Sequence, residues 1–195
     1  NAGGPGIIAA DAVERSTLKM ATFSKNTLDI LRSSLPAMAN VYNPVDVLGD
    51  AKADRYQFVV EKVLEDLHVD MVLIILTPQA MTEIEKTAEA IGEIANRTTK
   101  PVVTSFMGGK RIEASLKVMC QRKVPNYSFP ERAISAVEAM YKYTLWREKP
   151  IPEINKIPVQ SEEVESVFEK VRQAGRQSLG EDEAKQVISV YGFRI

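Results

Sequence analysis

Cysteine and histidine are nearly absent from the sequence, with one of each among 195 residues. Cys120 cannot form a disulfide within the chain, and Cys120 and His68 together cannot make the usual four-ligand zinc site. Long apolar runs are also missing, since the longest, at residues 71–76, is far too short to cross a bilayer. No charged segment followed by an apolar stretch opens the chain. The sequence therefore predicts a cytoplasmic protein with neither a membrane segment nor a signal peptide.

An excess of either charge is absent as well. Lysine and arginine number 25 against 26 aspartate and glutamate residues, so the net charge is -1. Nucleic acids and anionic membrane surfaces usually bind basic patches, and we expect neither as a partner. With 45% hydrophobic and 26% charged residues, the composition is typical of a globular protein rather than a disordered one. The chain is long enough for one domain with a sizeable extension, or for two small domains.

Strand and helix patterns alternate through residues 1–147. Residues 71–76 are apolar without alternation, which indicates a strand buried on both faces, as in parallel sheets covered by helices. Helical stripes flank it, such as the one that begins with Tyr56, Val59 and Val63. Strands are predicted at 40–47, 71–76, 101–106 and 127–129, and helices at 7–20, 27–34, 56–67, 81–95, 111–122 and from 130 onward. This order predicts an open α/β sheet.

The pattern changes after residue 147. Three prolines between residues 148 and 160 argue against a regular helix or a central strand, so this segment is predicted to be an extended linker. Residues 161–195 are predicted to form a helical extension, with Ser161 as the cap of its first helix and a second helix at 181–190. The chain opens at a glycine cluster without a methionine, and we expect it to be a piece of a longer polypeptide.

The glycine cluster comes directly before the first predicted helix. A helix N-terminus exposes unpaired backbone N–H groups and the positive end of the helix dipole, and glycines at 3, 4 and 6 leave room for a phosphate. A tight turn between a strand and a helix explains the cluster as well, and the residues alone favour the turn. No Gly-Lys-Ser/Thr follows and the spacing is not that of a dinucleotide fingerprint, so neither of those phosphate sites is predicted.

Polar residues follow the predicted strands at the edge where ligands of open α/β sheets bind. They are Asn43 and Asp46, Thr77 and Gln79, and the pair Gly108 and Gly109 before Lys110 and Arg111. Ordinary loop structure is the alternative in each case, because Asn and Asp side chains often bond their own backbone.

No complete catalytic set is predicted. His68 lies between a helix and a buried strand with no second histidine, which favours a half-exposed loop residue. Cys120 falls on the apolar stripe of its helix, which favours an inert core thiol. A receiver domain would need a phosphorylatable aspartate at the end of the middle strand, where this chain has Leu76 and Thr77.

Several motifs occur in order along the chain. They are Asn-Ala-Gly-Gly-Pro-Gly at 1–6, Asn-Pro-Val-Asp at 43–46, Leu-Thr-Pro-Gln-Ala-Met at 76–81, Lys-Pro-Val-Val at 100–103, Phe-Met-Gly-Gly at 106–109 and Val-Pro-Asn-Tyr-Ser-Phe-Pro-Glu at 124–131. With these motifs the sequence resembles the NDP-forming acyl-CoA synthetases over nearly its whole length. The resemblance implies a flavodoxin-like, succinyl-CoA-synthetase-like, doubly wound parallel sheet at 1–147. It also implies that the chain is an internal fragment whose last segment, 161–195, leads into an absent ATP-grasp domain.

The resemblance implies an activity for the full-length parent rather than for this chain alone. The family converts acyl-CoA, ADP and phosphate to carboxylate, CoA and ATP, or the reverse, through an acyl phosphate and a phosphohistidine. The CoA-binding, phosphohistidine and ATP-grasp domains would lie elsewhere in the same chain or on a partner subunit, and we expect an oligomer. This chain alone is therefore expected to be inactive, without a catalytic residue, a metal or a cofactor, while CoA, ADP or ATP and Mg bind to the full-length enzyme.

The resemblance also implies roles for particular residues. The helix after the glycine cluster resembles the helix whose N-terminus faces the phosphohistidine. The backbone N–H groups assigned to the phosphate are those of Gly3, Gly4, Gly6 and Ile7. In related succinyl-CoA ligases the loop after the corresponding middle strand approaches the carboxylate substrate, although that loop is glycine-rich and this one reads Thr-Pro-Gln. The candidate substrate-binding residues at this edge are Asn43, Asp46, Thr77 and Gln79.

One strand of the family's fold is missing from the chain. That first strand comes before the glycine cluster and lies between the strands predicted at 40–47 and 71–76. We therefore expect another segment or chain to supply it, or a gap with unpaired backbone groups. Direct pairing of the two flanking strands would contradict this hypothesis.

A function of another class stays open. Some members of the family resemble degenerate synthetases fused to a protein acetyltransferase, in which this module is a non-catalytic regulatory or ligand-sensing unit. Nothing between residues 1 and 195 separates this alternative from the ligase.

Overall fold

The computed structural model describes residues 1, 3–151 and 161–194. Most of the predicted linker, residues 152–160, lies outside the described residues. The chain divides into two compact units, Asn1–Lys149 and Pro150–Ile195. The predicted domain boundaries at 147 and 160 stay predictions. No described helix is long and apolar enough to span a membrane.

The first unit has a parallel two-stranded sheet with helices on both faces. Its elements in chain order are α1 (Gly3–Glu14), α2 (Lys25–Ser34), α3 (Ala53–Glu65), β1 (Val72–Leu76), α4 (Ile84–Ala95), β2 (Val102–Phe106), a 3-10 turn (Gly109–Ile112), α5 (Glu113–Gln121) and α6 (Pro130–Arg147). The register of β1 and β2 runs from Val72 opposite Val102 to Leu76 opposite Phe106. The predicted α/β class and the parallel sheet are confirmed.

Burial shows why the sheet is covered on both faces. One face of β2 belongs to a large core with α3, α4 and α5, which includes Val102 and Phe106. The other face packs against α6 in a smaller core, in which Val103 meets Ala133 and Val137. All five residues of β2 are therefore buried, whereas β1 alternates between half-buried and buried positions. In β1, the predicted burial on both faces is met only in part, because Ile74 and Leu76 lie in the large core whereas Leu73 packs half-buried against the smaller one.

The prediction of a strand at 40–47 is wrong. This segment is a loop closed by one antiparallel bridge, in which the N–H of Asp46 donates to the carbonyl of Asn40 at 2.9 Å. The Asn40 side chain donates to the carbonyls of Tyr42 and Pro44 and accepts the N–H of Tyr42. The loop thus satisfies its own backbone groups locally, and Pro44 has no N–H to offer a ladder.

The strand predicted at 127–129 is also absent from the described residues. One parallel bridge joins Thr104 to Asn126, and the chain then enters α6 at Pro130. The Asn126 side chain takes the place of a further ladder bond, because its Oδ1 accepts the N–H of Phe106 at 2.7 Å and the hydroxyl of Thr104 at 3.0 Å.

Two further expectations need correction. Helix α1 begins at Gly3 inside the glycine cluster rather than at residue 7, and it ends at Glu14 rather than at residue 20. Beyond it the Ser16 side chain bonds the Val13 carbonyl and the Leu18 N–H, which forms a turn in place of more helix. The thiol of Cys120 is exposed rather than in the core, since the buried positions of α5 are Ser115 and Met119.

The outer edge of β1, away from β2, has no strand partner in the part of the chain that the structure describes. The N–H of Val72 and the carbonyl of Leu76 bond toward β2, so the backbone groups of Leu73, Ile75 and Thr77 point to the outer edge. The 40–47 segment does not pair directly with β1 in the described residues, so the arrangement that would contradict the missing-strand hypothesis is not observed. The hypothesis of a strand from outside these residues stays a prediction.

The second unit contains α7 (Ser161–Gln173) and α8 (Glu181–Val190). Ser161, predicted as a cap, is the first residue of α7. Three valines of α7, at 164, 167 and 171, are buried, whereas no residue of α8 is. The Arg176 guanidinium holds the pKa of Glu183 down at about 2, and Glu183 also accepts the N–H of Gly180 at 2.7 Å.

Candidate functional site

The first turn of α1 is open to solvent at the positions predicted to bind phosphate. Gly3 and Gly4 are exposed, and a Cβ atom added to Gly4 would meet no atom within 4 Å. Because the helix begins at Gly3, the N–H groups of Gly3 and Gly4 have no helical partner, and Pro5 has no N–H. Gly6 is half-buried, and Ile7 lies further in, where a helical N–H group donates to the carbonyl four residues back, here that of Gly3. Free donors at this turn are therefore concentrated on Gly3 and Gly4.

The loop from residue 40 to residue 51 lies alongside this turn. A Cβ atom on Gly3 would stand 3.7 Å from the Asp46 Oδ2 atom, and one on Gly6 would stand 3.7 Å from the Pro44 ring. The other carboxylate oxygen of Asp46 accepts the N–H of Leu48 at 2.9 Å. The structure thus brings Asp46 to the glycine turn, where a negative charge meets the positive end of the helix.

Asn43 has a different place. Its side-chain amide donates to the carbonyl of Ala21 at 3.0 Å, in the connection between α1 and α2. This bond makes Asn43 a residue that holds the loop, in line with the structural alternative for it.

Asn1 joins the glycine turn to the end of β1. Its Nδ2 atom donates to the carbonyl of Thr77 at 2.9 Å, and its Oδ1 atom accepts the N–H of Thr77 at 2.9 Å. The Thr77 hydroxyl also donates to Oδ1, at 3.4 Å. The start of α1 and the loop that begins with Thr77 are therefore held side by side.

The loops after β1 and β2 pack on one another. Arg111 donates to the carbonyls of Pro78 and Gln79 at 3.3 and 3.2 Å. A Cβ atom on Gly108 would lie 2.7 Å from the Pro78 ring, so only glycine allows this approach. The basic residue after the predicted glycine pair is thus used to hold the neighbouring loop.

Sequence reasoning missed two polar residues near the site. Tyr56 was assigned to an apolar stripe, yet its hydroxyl donates to the carbonyl of Ile75 at 3.3 Å on the outer edge of β1. Burial raises the pKa of Tyr56, and the Asp46 carboxylate raises it further. Asn1 is the second, and only its place directly before the glycine cluster could have drawn attention to it.

His68 and Cys120 do not contribute to a catalytic arrangement in the described residues. His68 lies in an exposed loop, with its Nδ1 atom 3.4 Å from the buried carboxylate of Asp66. No group of three or more His, Cys, Asp or Glu side chains in the described ranges could hold a metal ion.

Residues 1–149 match the Ligase-CoA domain family. The chain belongs to that family. Its relatives include the ADP-forming acetate–CoA ligase I of Archaeoglobus fulgidus, which is 35% identical over 196 residues that cover 100% of this chain and 28% of the relative. The ADP-forming 4-hydroxybutyrate–CoA ligase of Nitrosopumilus maritimus is 31% identical over 195 residues, or 99% of this chain and 28% of the relative. The chain thus spans less than a third of the length of these ligases.

Solved structures agree with this assignment. The apo form of the dinucleotide forming acetyl-coenzyme A synthetase 1 from Ca. Korarchaeum cryptofilum has a TM-score of 0.70 at 25% identity, and the match covers 75% of this chain and 32% of that one. A complex of the Korarchaeum synthetase with phosphate and ADP has the same fold, at 23% identity and a TM-score of 0.70. Together, the Ligase-CoA domain and its relatives confirm the resemblance to the NDP-forming acyl-CoA synthetases.

Proposed function

We propose that this Ligase-CoA domain belongs to an ADP-forming acyl-CoA synthetase and presents the first turn of α1 to a phosphoryl group carried on a histidine of another domain. The overall reaction converts acyl-CoA, ADP and phosphate to carboxylate, CoA and ATP, or the reverse. CoA, ADP or ATP and Mg would bind to parts of the full-length enzyme outside this chain. The other domains, in the same chain or on a partner subunit, complete the active enzyme.

The open side of Gly4 is the observation that carries the proposal. A phosphoryl group needs hydrogen-bond donors and positive potential without a side chain in its way, and the N–H groups of Gly3 and Gly4 at the end of a helix dipole supply both. Because these donors are fixed in the helix before the phosphoryl group arrives, they lose little in reorganisation when charge develops on it.

The neighbouring loop supplies the candidate contacts to the acyl group. Thr77 and Gln79 lie at the carboxyl end of β1, where ligands of open α/β sheets bind, and Asn1 holds this loop against the glycine turn. Asp46 faces the same turn. Thr77 and Gln79 thus lie on a segment adjacent to the turn, which suits a substrate whose carboxylate is phosphorylated, whereas the negative charge of Asp46 opposes an anionic phosphoryl group there.

Gly4→Val in the full-length enzyme tests the proposal. The wild-type enzyme is first assayed with a panel of carboxylic acids, CoA and ATP, with ADP and a thioester as the expected products. The valine side chain would project into open space without disturbing the fold, and it would cover the phosphate position. We expect kcat to fall by about 100-fold or more, with an unchanged Kd for CoA.

Glu14→Val is the matched control, because it places the same side chain at an exposed position at the other end of α1. It is expected to keep the wild-type kcat. Full activity of Gly4→Val would refute the phosphate role of the turn. An enzyme that binds CoA thioesters or acetylates lysines, yet turns over no acid, would favour the regulatory alternative.

A further inference from the structure

We propose that Asn1 is a positioning residue, which fixes the phosphate-binding turn of α1 relative to the acyl-binding loop after β1. The inference rests on the proposed function of that turn. In this role Asn1 does not contact the substrate. Its side chain sets the distance between the turn of α1 and the loop after β1.

The side chain of Asn1 makes the two hydrogen bonds that an adjacent parallel strand would make with Thr77. In a parallel sheet, the N–H and the carbonyl of one residue bond to the same adjacent strand. Thr77 directs both groups to the outer edge of β1, and the Asn1 carboxamide satisfies both at 2.9 Å. The side chain thus ends the edge of β1 at the point where the backbone turns into α1.

The chemistry of the contact requires a carboxamide of this length. One end must accept an N–H and the other must donate to a carbonyl, so Asp lacks the donor and Ala lacks both groups. Ser can offer one group only, on a shorter side chain. Since the contact is partly buried, its loss would leave the N–H and carbonyl of Thr77 without their partners.

The position of this contact links it to the reaction. Asn1 lies two residues before Gly3, whose N–H has no helical partner, and it bonds Thr77, which with Gln79 supplies the candidate acyl contacts in the proposed function. A shift of about 1 Å between the turn and the loop would misalign the phosphoryl and carboxyl groups, and errors of that size can lower a rate about 100-fold.

Asn126 provides a matched control within the same fold. Its Oδ1 atom accepts the N–H of Phe106 at 2.7 Å, so it ends the outer edge of β2 as Asn1 ends that of β1. It also accepts the hydroxyl of Thr104, and nothing connects it to the glycine turn among the described contacts. Removing either carboxamide should destabilise the sheet, but only the loss of Asn1 should change the placement of α1.

The experiment compares Asn1→Ala and Asn126→Ala in the full-length enzyme, with the acid and CoA thioester that the wild type turns over. We expect Asn1→Ala to lower kcat by about 10- to 100-fold with an unchanged KM for the thioester, and Asn126→Ala to keep kcat within about threefold at a comparable loss of melting temperature. If Asn1→Ala does not fold, Asn1→Ser is measured instead, with the same expected division between kcat and KM.

Three results would overturn the positioning role. They are a wild-type kcat in the folded Asn1 variant, an equal loss of kcat in Asn126→Ala, and a loss that appears only in KM. Gly4→Val separates this inference from the proposed function. If Gly4→Val is inactive while the Asn1 variant is active, only the positioning role fails, and if Gly4→Val is active, the proposed function fails.

Discussion

Asp66 is a buried carboxylate that organises the start of α2 and the end of α3. It accepts the N–H groups of Ser24 at 2.7 Å and His68 at 2.9 Å, while Lys100 donates to its backbone carbonyl at 2.7 Å. Burial by itself would raise the pKa of Asp66, but the hydrogen bonds from His68, Thr27 and Ser24 outweigh it and hold the pKa well below its usual range. The charged form is therefore the one that the fold stabilises.

This pKa predicts how stability depends on pH. A carboxyl whose pKa is lowered in the folded state contributes stability above its unfolded pKa of about 4, and that contribution is lost as the pH falls through the lower folded value. We expect the free energy of unfolding in urea to decrease between about pH 5 and pH 2. Asp66→Asn should lower it by about 2 kcal/mol at pH 7 and reduce its dependence on pH in this window.

Asp70→Asn is the control for this prediction, since Asp70 is an exposed carboxyl close by in the sequence. It should leave both the stability at pH 7 and the acid dependence nearly unchanged. Equal pH profiles for wild type and Asp66→Asn would show that Asp66 is not the responsible group.

At the scale of elements, the C-terminal end of α5 contains a residue whose conformation is unfavourable for its side chain. Lys123 has a φ of 60°, and its N–H donates to the Cys120 carbonyl at 3.1 Å, while the N–H of Val124 donates to the Met119 carbonyl at 2.9 Å. These two bonds form a Schellman motif, whose left-handed residue is usually glycine because a Cβ atom is disfavoured there. Lysine at this position carries a conformational cost in the folded state.

Lys123→Gly should therefore stabilise the protein. Glycine avoids the steric cost of a Cβ atom in the left-handed conformation, which is about 1 to 2 kcal/mol. The greater freedom of glycine in the unfolded chain offsets part of this, so the free energy of unfolding should rise by about 0.5 to 1 kcal/mol. Lys117→Gly, at an exposed position inside the same helix, should instead cost about 1 kcal/mol. Urea unfolding measures both changes, and a loss of stability in Lys123→Gly would contradict the argument.

The elements also differ in how far the sequence predicts them. Helices α3 and α4 follow from apolar stripes, because packing on a sheet requires that spacing. The strands predicted at 40–47 and 127–129 are absent because a short apolar or β-branched segment does not record its backbone partner: the Asn40 side chain satisfies the first loop locally, and a single bridge at Asn126 precedes the second segment. The early start of α1 was missed because glycine is a poor helix former, although its cost is small where the N–H groups need no helical partner.

At the scale of the whole molecule, topology made much of the candidate site predictable. Strands that run parallel bring the loops that follow them to one edge, so Thr77 and Gln79 could be placed near the glycine pair at 108 and 109 from the sequence. The contact of Asn1 with Thr77 and the turn of Asn43 toward Ala21 could not be placed. A side-chain amide bonds whatever the tertiary structure brings near it, and no local pattern records that partner.

The outer edge of β1 gives the last prediction, which concerns the strand expected from outside these residues. The N–H groups of Leu73 and Ile75 point to this edge, where no ladder partner exists in the described chain, whereas those of Ile74 and Leu76 point to β2. In the isolated chain we expect the outward amides to exchange hydrogen at least about 100-fold faster than the inward ones, because amides without a bonded partner exchange through local openings of low free energy. In the full-length enzyme a strand on this edge should protect all four amides to a similar degree.

Mass spectrometry with residue-level fragmentation measures hydrogen exchange in both proteins, and the inward amides serve as the internal control. Outward amides that exchange rapidly in the full-length enzyme as well would mean that no strand completes the sheet, and that the gap itself is part of the fold.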